Sequence, residues 1–169
     1  IYTTKQTSLD EIGKIFDATW NSSSFDNIYQ SNEYRLEAED IIFKYIENNP
    51  MDSNIKYLLE EDIAVDYNSN SYIGKIDRID IFPDGDINII DYKTSKKKKT
   101  SAAMKKDIQL GYYSYLLSMY QSNSFDSKIP GSSSLEFVRD SEDPTVSLSF
   151  TSEDILDIEE RVENIVASV

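Results

Sequence analysis

The sequence predicts an α/β (α+β) fold, a mixed central sheet of about five strands flanked by helices. Three observations predict it. The first third of the chain repeats apolar residues at helical spacing. The middle alternates apolar and polar residues at the period of a strand. The elements then run in the order ααβββαββα, which implies a mixed sheet with helices packed on it.

The first helix carries Leu9, Ile12, Ile15, Phe16 and Thr19 at helical spacing. Ser8 is its N-cap, with Glu11 three residues on. After the polar break at Asn21-Ser22-Ser23-Ser24, a longer helix runs from about Asn27 to about Asn48 on Tyr34, Ala38, Ile41, Ile42, Tyr45 and Ile46. Asn48-Asn49-Pro50 stops it. Leu59, Ile63, Val65 and Tyr67 mark the first strand, and Asn68-Ser69-Asn70-Ser71 a turn. A second strand runs from about Tyr72 to Phe82. Pro83-Asp84-Gly85 turns the chain, because Pro presets φ and Gly allows positive φ. The third strand spans Asp86–Lys93, completing a β-meander. A helix is expected from about Lys105 to Tyr120, then strands at Leu135–Val138 and Val146–Phe150. Thr151 or Ser152 caps a last helix through Ile155, Ile158, Val162 and Ile165. The expected organisation is a single domain over 1–169: a helical lead-in over 1–50, a sheet core over 56–150 and a C-terminal helix over 151–169.

The chain has 169 residues, 39% of them hydrophobic, which is enough apolar side chain for a real core. It contains neither Cys nor His. That excludes a thiol nucleophile, a zinc finger, a Cys-ligated cluster, a Ser–His–Asp triad and an imidazole ligand. A metal must bind through oxygen, which points to Mg²⁺, Mn²⁺ or Ca²⁺. Acid–base work falls to Asp, Glu, Lys or Tyr. No apolar run reaches the ~18 residues that span a bilayer, so no membrane partner is expected. The chain opens Ile1-Tyr2 without Met or a signal-peptide pattern, and reads as a domain from a longer, cytoplasmic protein.

Net charge is −14, which argues against nonspecific nucleic-acid binding by the chain as a whole. The distribution is uneven. Lys93, Lys96, Lys97, Lys98, Lys99, Lys105 and Lys106 form a basic segment that no acid interrupts. On its own this is a solvated loop. Directly after a strand that ends in chemistry, it is also a grip for phosphates.

In the third strand Ile87, Ile89, Asp91 and Lys93 share a face. In the second, Ile73, Lys75, Asp77, Ile79 and Ile81 share one, so Asp77 interrupts an apolar stripe. If these strands pair through the Pro83–Gly85 turn, Asp77 and Asp91 converge on one side of the sheet. Two carboxylates held against apolar neighbours are costly unless a cation sits between them or one is protonated.

Gly74-Lys75-Ile76-Asp77-Arg78-Ile79-Asp80, then Ile89-Ile90-Asp91-Tyr92-Lys93-Thr94, then Gln109-Leu110-Gly111-Tyr112-Tyr113 form the series G-x-x-D-R-x-D, I-I-D-Y-K-T and Q-x-x-x-Y. In this order and on these element types, the series resembles the RecB-like branch of the PD-(D/E)XK nucleases, and most closely the nuclease domain at the C-terminus of UvrD/Rep-type helicases. The resemblance implies a restriction-endonuclease-like core. It implies that Asp77 and Asp91 bind Mg²⁺ or Mn²⁺, with the carbonyl of Tyr92 and an earlier Glu. Glu60 fits the family spacing, while strict alternation puts Glu61 on the face of Leu59, Ile63 and Val65. Lys93 matches the lysine that orients the attacking water. Gln109 and Tyr113, four apart on one helix face, look toward the scissile strand. Lys96, Lys97, Lys98 and Lys99 then contact DNA. The sequence departs from the pattern in lacking the upstream His ligand of many relatives and the four cysteines of the cluster-bearing branch.

The implied activity is a Mg²⁺- or Mn²⁺-dependent deoxyribonuclease acting on single-stranded or unwound duplex DNA in repair or recombination, an exonuclease rather than an endonuclease. Helicase motor domains in the same chain or complex would deliver the strand to this acidic domain. The alternative is a catalytically inactive nuclease fold that binds DNA or protein. A third reading is an acidic interaction domain with an incidental lysine loop.

Overall fold

The computed structural model describes residues 8–121 and 125–168. Helix α1 (Leu9–Thr19) begins in the expected capping box: the Glu11 amide donates to the Ser8 hydroxyl at 3.3 Å, and the Ser8 amide donates to the Glu11 carboxylate at 2.9 Å. A 3₁₀ turn at Ser22–Ser24 leads to α2 (Ile28–Asn48), capped by Asn27 through the Gln30 amide. Strands β1 (Lys56–Tyr67) and β2 (Asn70–Ile81) form an antiparallel hairpin. Its turn residues Asn68 and Ser69 both take positive φ, 48° and 64°, the backbone that a tight two-residue hairpin needs. Gly85, at φ 82°, closes the next turn into β3 (Ile87–Lys93). Helices α3 (Ser101–Lys105) and α4 (Ile108–Met119) cross over to β4 (Ser132–Phe137), which runs parallel to β3. Strand β5 (Thr145–Leu148) returns antiparallel, and α5 (Ser152–Ala167) starts at Thr151.

The sheet is five-stranded and mixed, in the order β1-β2-β3-β4-β5. The predicted fold class is thus the observed one. On one face Ile79, Ile87, Ile89 and Leu135 pack against Leu110, Leu116 and Leu117 of α4 and Ile158 of α5. Helix α2 serves the other face, where Tyr45 is buried and its hydroxyl donates to Glu136 of β4 at 2.9 Å. No described helix is long and apolar enough to cross a membrane.

Two expectations need correction. The helix expected from about Lys105 to Tyr120 is α4, which starts three residues later at Ile108, and a short α3 that was not expected precedes it over Ser101–Lys105. Asp107 adopts an extended conformation between them and accepts the Gln109 amide, so α4 has its own N-cap. The stripe Ile73, Lys75, Asp77, Ile79 and Ile81 does not lie on one face either. Ile73 is 69% exposed, whereas Ile79 is fully buried. The core under α4 takes Leu58, Ile63 and Val65 from β1, and Tyr72, Ile76 and Ile79 from β2. Strict alternation cannot put 58 with 63, or 76 with 79. Both strands therefore slip by one position at the same place. The ladder there runs from Leu59–Arg78 to Glu61–Ile76 and leaves out Glu60 and Asp77 between them. Glu60 takes up the slip with φ 52°, in the left-handed region.

Candidate active site

Pairing between β2 and β3 covers only Arg78–Ile81 and Ile87–Ile90. Beyond it the strands separate, and Asp77 fills the gap. Its Oδ2 accepts the Tyr92 amide at 2.9 Å, standing where a neighbouring strand's carbonyl would otherwise stand. Asp91 is next along β3 and only 4% exposed. Its Oδ1 accepts Gln109 Nε2 at 2.9 Å. Its buried Oδ2 rests against the Lys93 ammonium as an ion pair. Burial pushes the Asp91 carboxyl above its ordinary pKa; Lys93 pulls it down, and the negative charges of Asp77 and Asp107 push it up again.

Gln109 joins the acid and the amine. Besides donating to Asp91, its Oε1 accepts Lys93 Nζ at 3.3 Å, and its Nε2 lies 3.3 Å from the Tyr113 hydroxyl. The helix beneath it is held close because β2 carries Gly74 at the contact. A Cβ there would stand 3.0 Å from Leu116 and 3.2 Å from the Tyr113 ring. Asp107 caps this helix and also pairs with Lys99. Burial would raise its pKa, but Lys99 and the Gln109 amide outweigh that and hold it below the ordinary range.

Asp77, Asp91, Tyr92, Lys93, Gln109 and Tyr113 are therefore neighbours. Glu60 borders the same cavity as Asp77, but its carboxylate is 2.8 Å from Lys75 and its side chain is 67% exposed. Glu61 pairs with Ile76 in the ladder. Among the described residues no group of three or more acidic side chains is gathered to hold a metal. The oxygen-only donors of Asp77 and Asp91 nevertheless suit a hard cation, and the buried Oδ2 of Asp91, now against the Lys93 ammonium, is an atom such a cation would meet.

The lysine segment is partly neutralised in three dimensions. Lys98 pairs with Asp140 and Asp143, Lys99 with Asp107, and Lys105 with Asp154. Lys96 and Lys97 are exposed and form none of these pairs.

One group lay within the motifs but outside the expected site. The Arg78 guanidinium forks onto Asp80, with both contacts at 2.6 Å, donates to the Tyr92 hydroxyl at 3.1 Å, and lies 4.8 Å from the centre of the Tyr57 ring. It anchors the residue between Asp91 and Lys93. The signal was the two-residue spacing of Arg78 and Asp80, which places both on one face of a strand.

A comparison with curated proteins found no match. The family model described as the PD-(D/E)XK nuclease superfamily matches residues 2–168.

Proposed function

The chain belongs to the PD-(D/E)XK nuclease superfamily and is a nuclease domain, and on that basis we propose a Mg²⁺- or Mn²⁺-dependent deoxyribonuclease that trims single-stranded or unwound DNA as an exonuclease, in repair or recombination beside a helicase motor. One observation carries the reading: where β2 leaves β3, Asp77 holds the Tyr92 amide within electrostatic reach of Asp91, and Lys93 and Gln109 both engage Asp91 and each other. Asp77, Asp91 and the Tyr92 carbonyl would hold the cation, and Glu60 joins them once it releases Lys75. A divalent ion at such a site supplies charge neutralisation at the phosphate and acidifies water. The chain's own residues do the rest. Lys93 donates toward the nucleophilic water and the scissile phosphate, stabilising charge that grows in the transition state. Gln109 keeps Lys93 and Asp91 in register, and Tyr113 holds Gln109. Lys96 and Lys97, with Lys98 and Lys99 after exchange of their acidic partners, draw in the backbone.

The inactive-module reading is favoured by one fact: the Glu60 carboxylate is engaged by Lys75 instead of joining the other two acids. The test is cleavage of end-labelled single-stranded DNA with Mn²⁺, by the wild type and by Lys93→Ala. We expect the variant to keep its fold and much of its DNA binding and to cut about 10²–10³-fold more slowly. Wild-type protein that binds DNA but cuts no form of it with either metal establishes the binding module instead.

A further inference from the structure

On the α2 side of the sheet lies a cavity of about 280 Å³ whose mouth carries Glu60 and Asp77 of the proposed metal site and whose apolar interior the proposed hydrolysis does not use. Its walls are apolar, with Ile46 on α2, Leu59 on β1 and Val138 beyond β4. Two aromatic rings complete it, Tyr45 and Tyr92, set edge to face with centres 6.3 Å apart. Each ring is fixed at its phenolic tip, Tyr45 by donating to Glu136 and Tyr92 by accepting from Arg78. The slip at Glu60 shapes the opening. It turns Leu59 toward α2 while Glu60 and Asp77 border the same space.

We propose that this cavity receives one unstacked nucleobase of a single strand whose backbone passes over Asp77 and Asp91. The strand's path rests on the nuclease reading of those two acids. Shape and charge both select a base. A flat, uncharged heterocycle gains by leaving water for rings and aliphatic side chains, and fixed rings cost little entropy to pack against. Inside the cavity a phosphate would find no basic side chain, since the charged lining residues are Glu60 and Asp77. A base held in a duplex is unavailable unless it is pulled from the stack, so the cavity selects unpaired nucleotides next to the cleavage point.

The experiment measures binding without metal and cleavage with Mn²⁺ separately. The probes are labelled single strands of about ten nucleotides, intact or carrying one abasic residue at each position in turn. For the wild type, loss of the base at one position weakens binding about tenfold, the ratio that one base–aromatic stack supplies, and loss elsewhere has little effect. Val138→Phe and Ile46→Phe fill the cavity from two different segments, one just beyond β4 and one on α2. Each should lose about tenfold on the intact strand and become indifferent to the sensitive abasic position. The proposal is overturned if no abasic position matters to the wild type, or if both filled variants, folded by circular dichroism, bind the intact strand as the wild type does. Cleavage without base dependence removes the cavity's role and leaves the nuclease. Base-dependent binding without cleavage removes the nuclease and leaves the cavity. No DNA binding at all removes both.

Discussion

Asp91 is one of two buried aspartates among the described residues, only 4% exposed. Its folded pKa is raised, chiefly by burial, which is the reverse of the usual ion-paired acid. Below the unfolded value both states hold the proton and the fold pays no penalty for Asp91. That advantage is lost as pH rises through the folded value, because the fold must then bury a charge. Asp91→Asn removes the charge and should raise Tm at neutral pH, at about 2–4 °C for each kcal/mol recovered. The gain should vanish in acid, and the variant should not cut DNA. The same proton competes with a cation, so Mn²⁺ affinity, read by calorimetry, should fall as pH drops through the raised Asp91 value. Arg78 makes a different prediction. With its side chain gone, Asp80, only 4% exposed, is a buried charge without its partner. Arg78→Met should cost about 3–5 kcal/mol in urea unfolding and loosen the Tyr92 ring.

The slip shared by β1 and β2 is the element that places the candidate site. Left-handed backbone at a non-glycine residue costs of order 1–3 kcal/mol, so Glu60 is held there by the strands on either side. Glu60→Gly should unfold at equal or higher urea than the wild type, while Glu60→Val should lose at least about 1 kcal/mol. If Glu60 is the third acid, the glycine variant is also slow in cleavage despite its stability. That divergence separates a strain role from a ligand role. Where α4 meets β2, the space at Gly74 is as tight. Gly74→Val should cost about 1–3 kcal/mol through overpacking and displace Tyr113 and Gln109 together.

Across the whole molecule, the −14 net charge and the internally paired lysines limit the DNA grip. On the proposed path Lys93, Lys96 and Lys97 are the cations a strand would meet. The slope of log K against log salt should therefore be only about −2 for single strands, and Lys96→Ala with Lys97→Ala should reduce its size by about 1.4. Much of the fold was legible in the sequence. Ser8 with Glu11, the Pro83–Gly85 turn and the alternation of Ile87 and Ile89 are local signals, and the structure keeps them. The nearness of Asp77 and Asp91 was legible in part: the short turn pairs their strands up to Arg78 and Ile90, but the alternation that grouped Asp77 with Ile79 does not hold. The slip was not, because Glu60 is neither glycine nor asparagine and carries no mark of a left-handed backbone. Nor was the break at Asp107, whose capping role depends on α3 ending just before it. The pairing of Lys98 with Asp140 and Asp143 joins segments far apart in the chain, beyond the reach of a charge count.

The bond from the Tyr92 amide to Asp77 has a consequence of its own. A main-chain proton that leans on a side-chain carboxylate senses any ion that carboxylate later takes up. In a ¹⁵N-labelled sample the Tyr92 cross-peak should move on titration with Mg²⁺, while those of Ile89 and Ile90 stay put. One backbone resonance then becomes an occupancy meter, readable before any phosphodiester is broken.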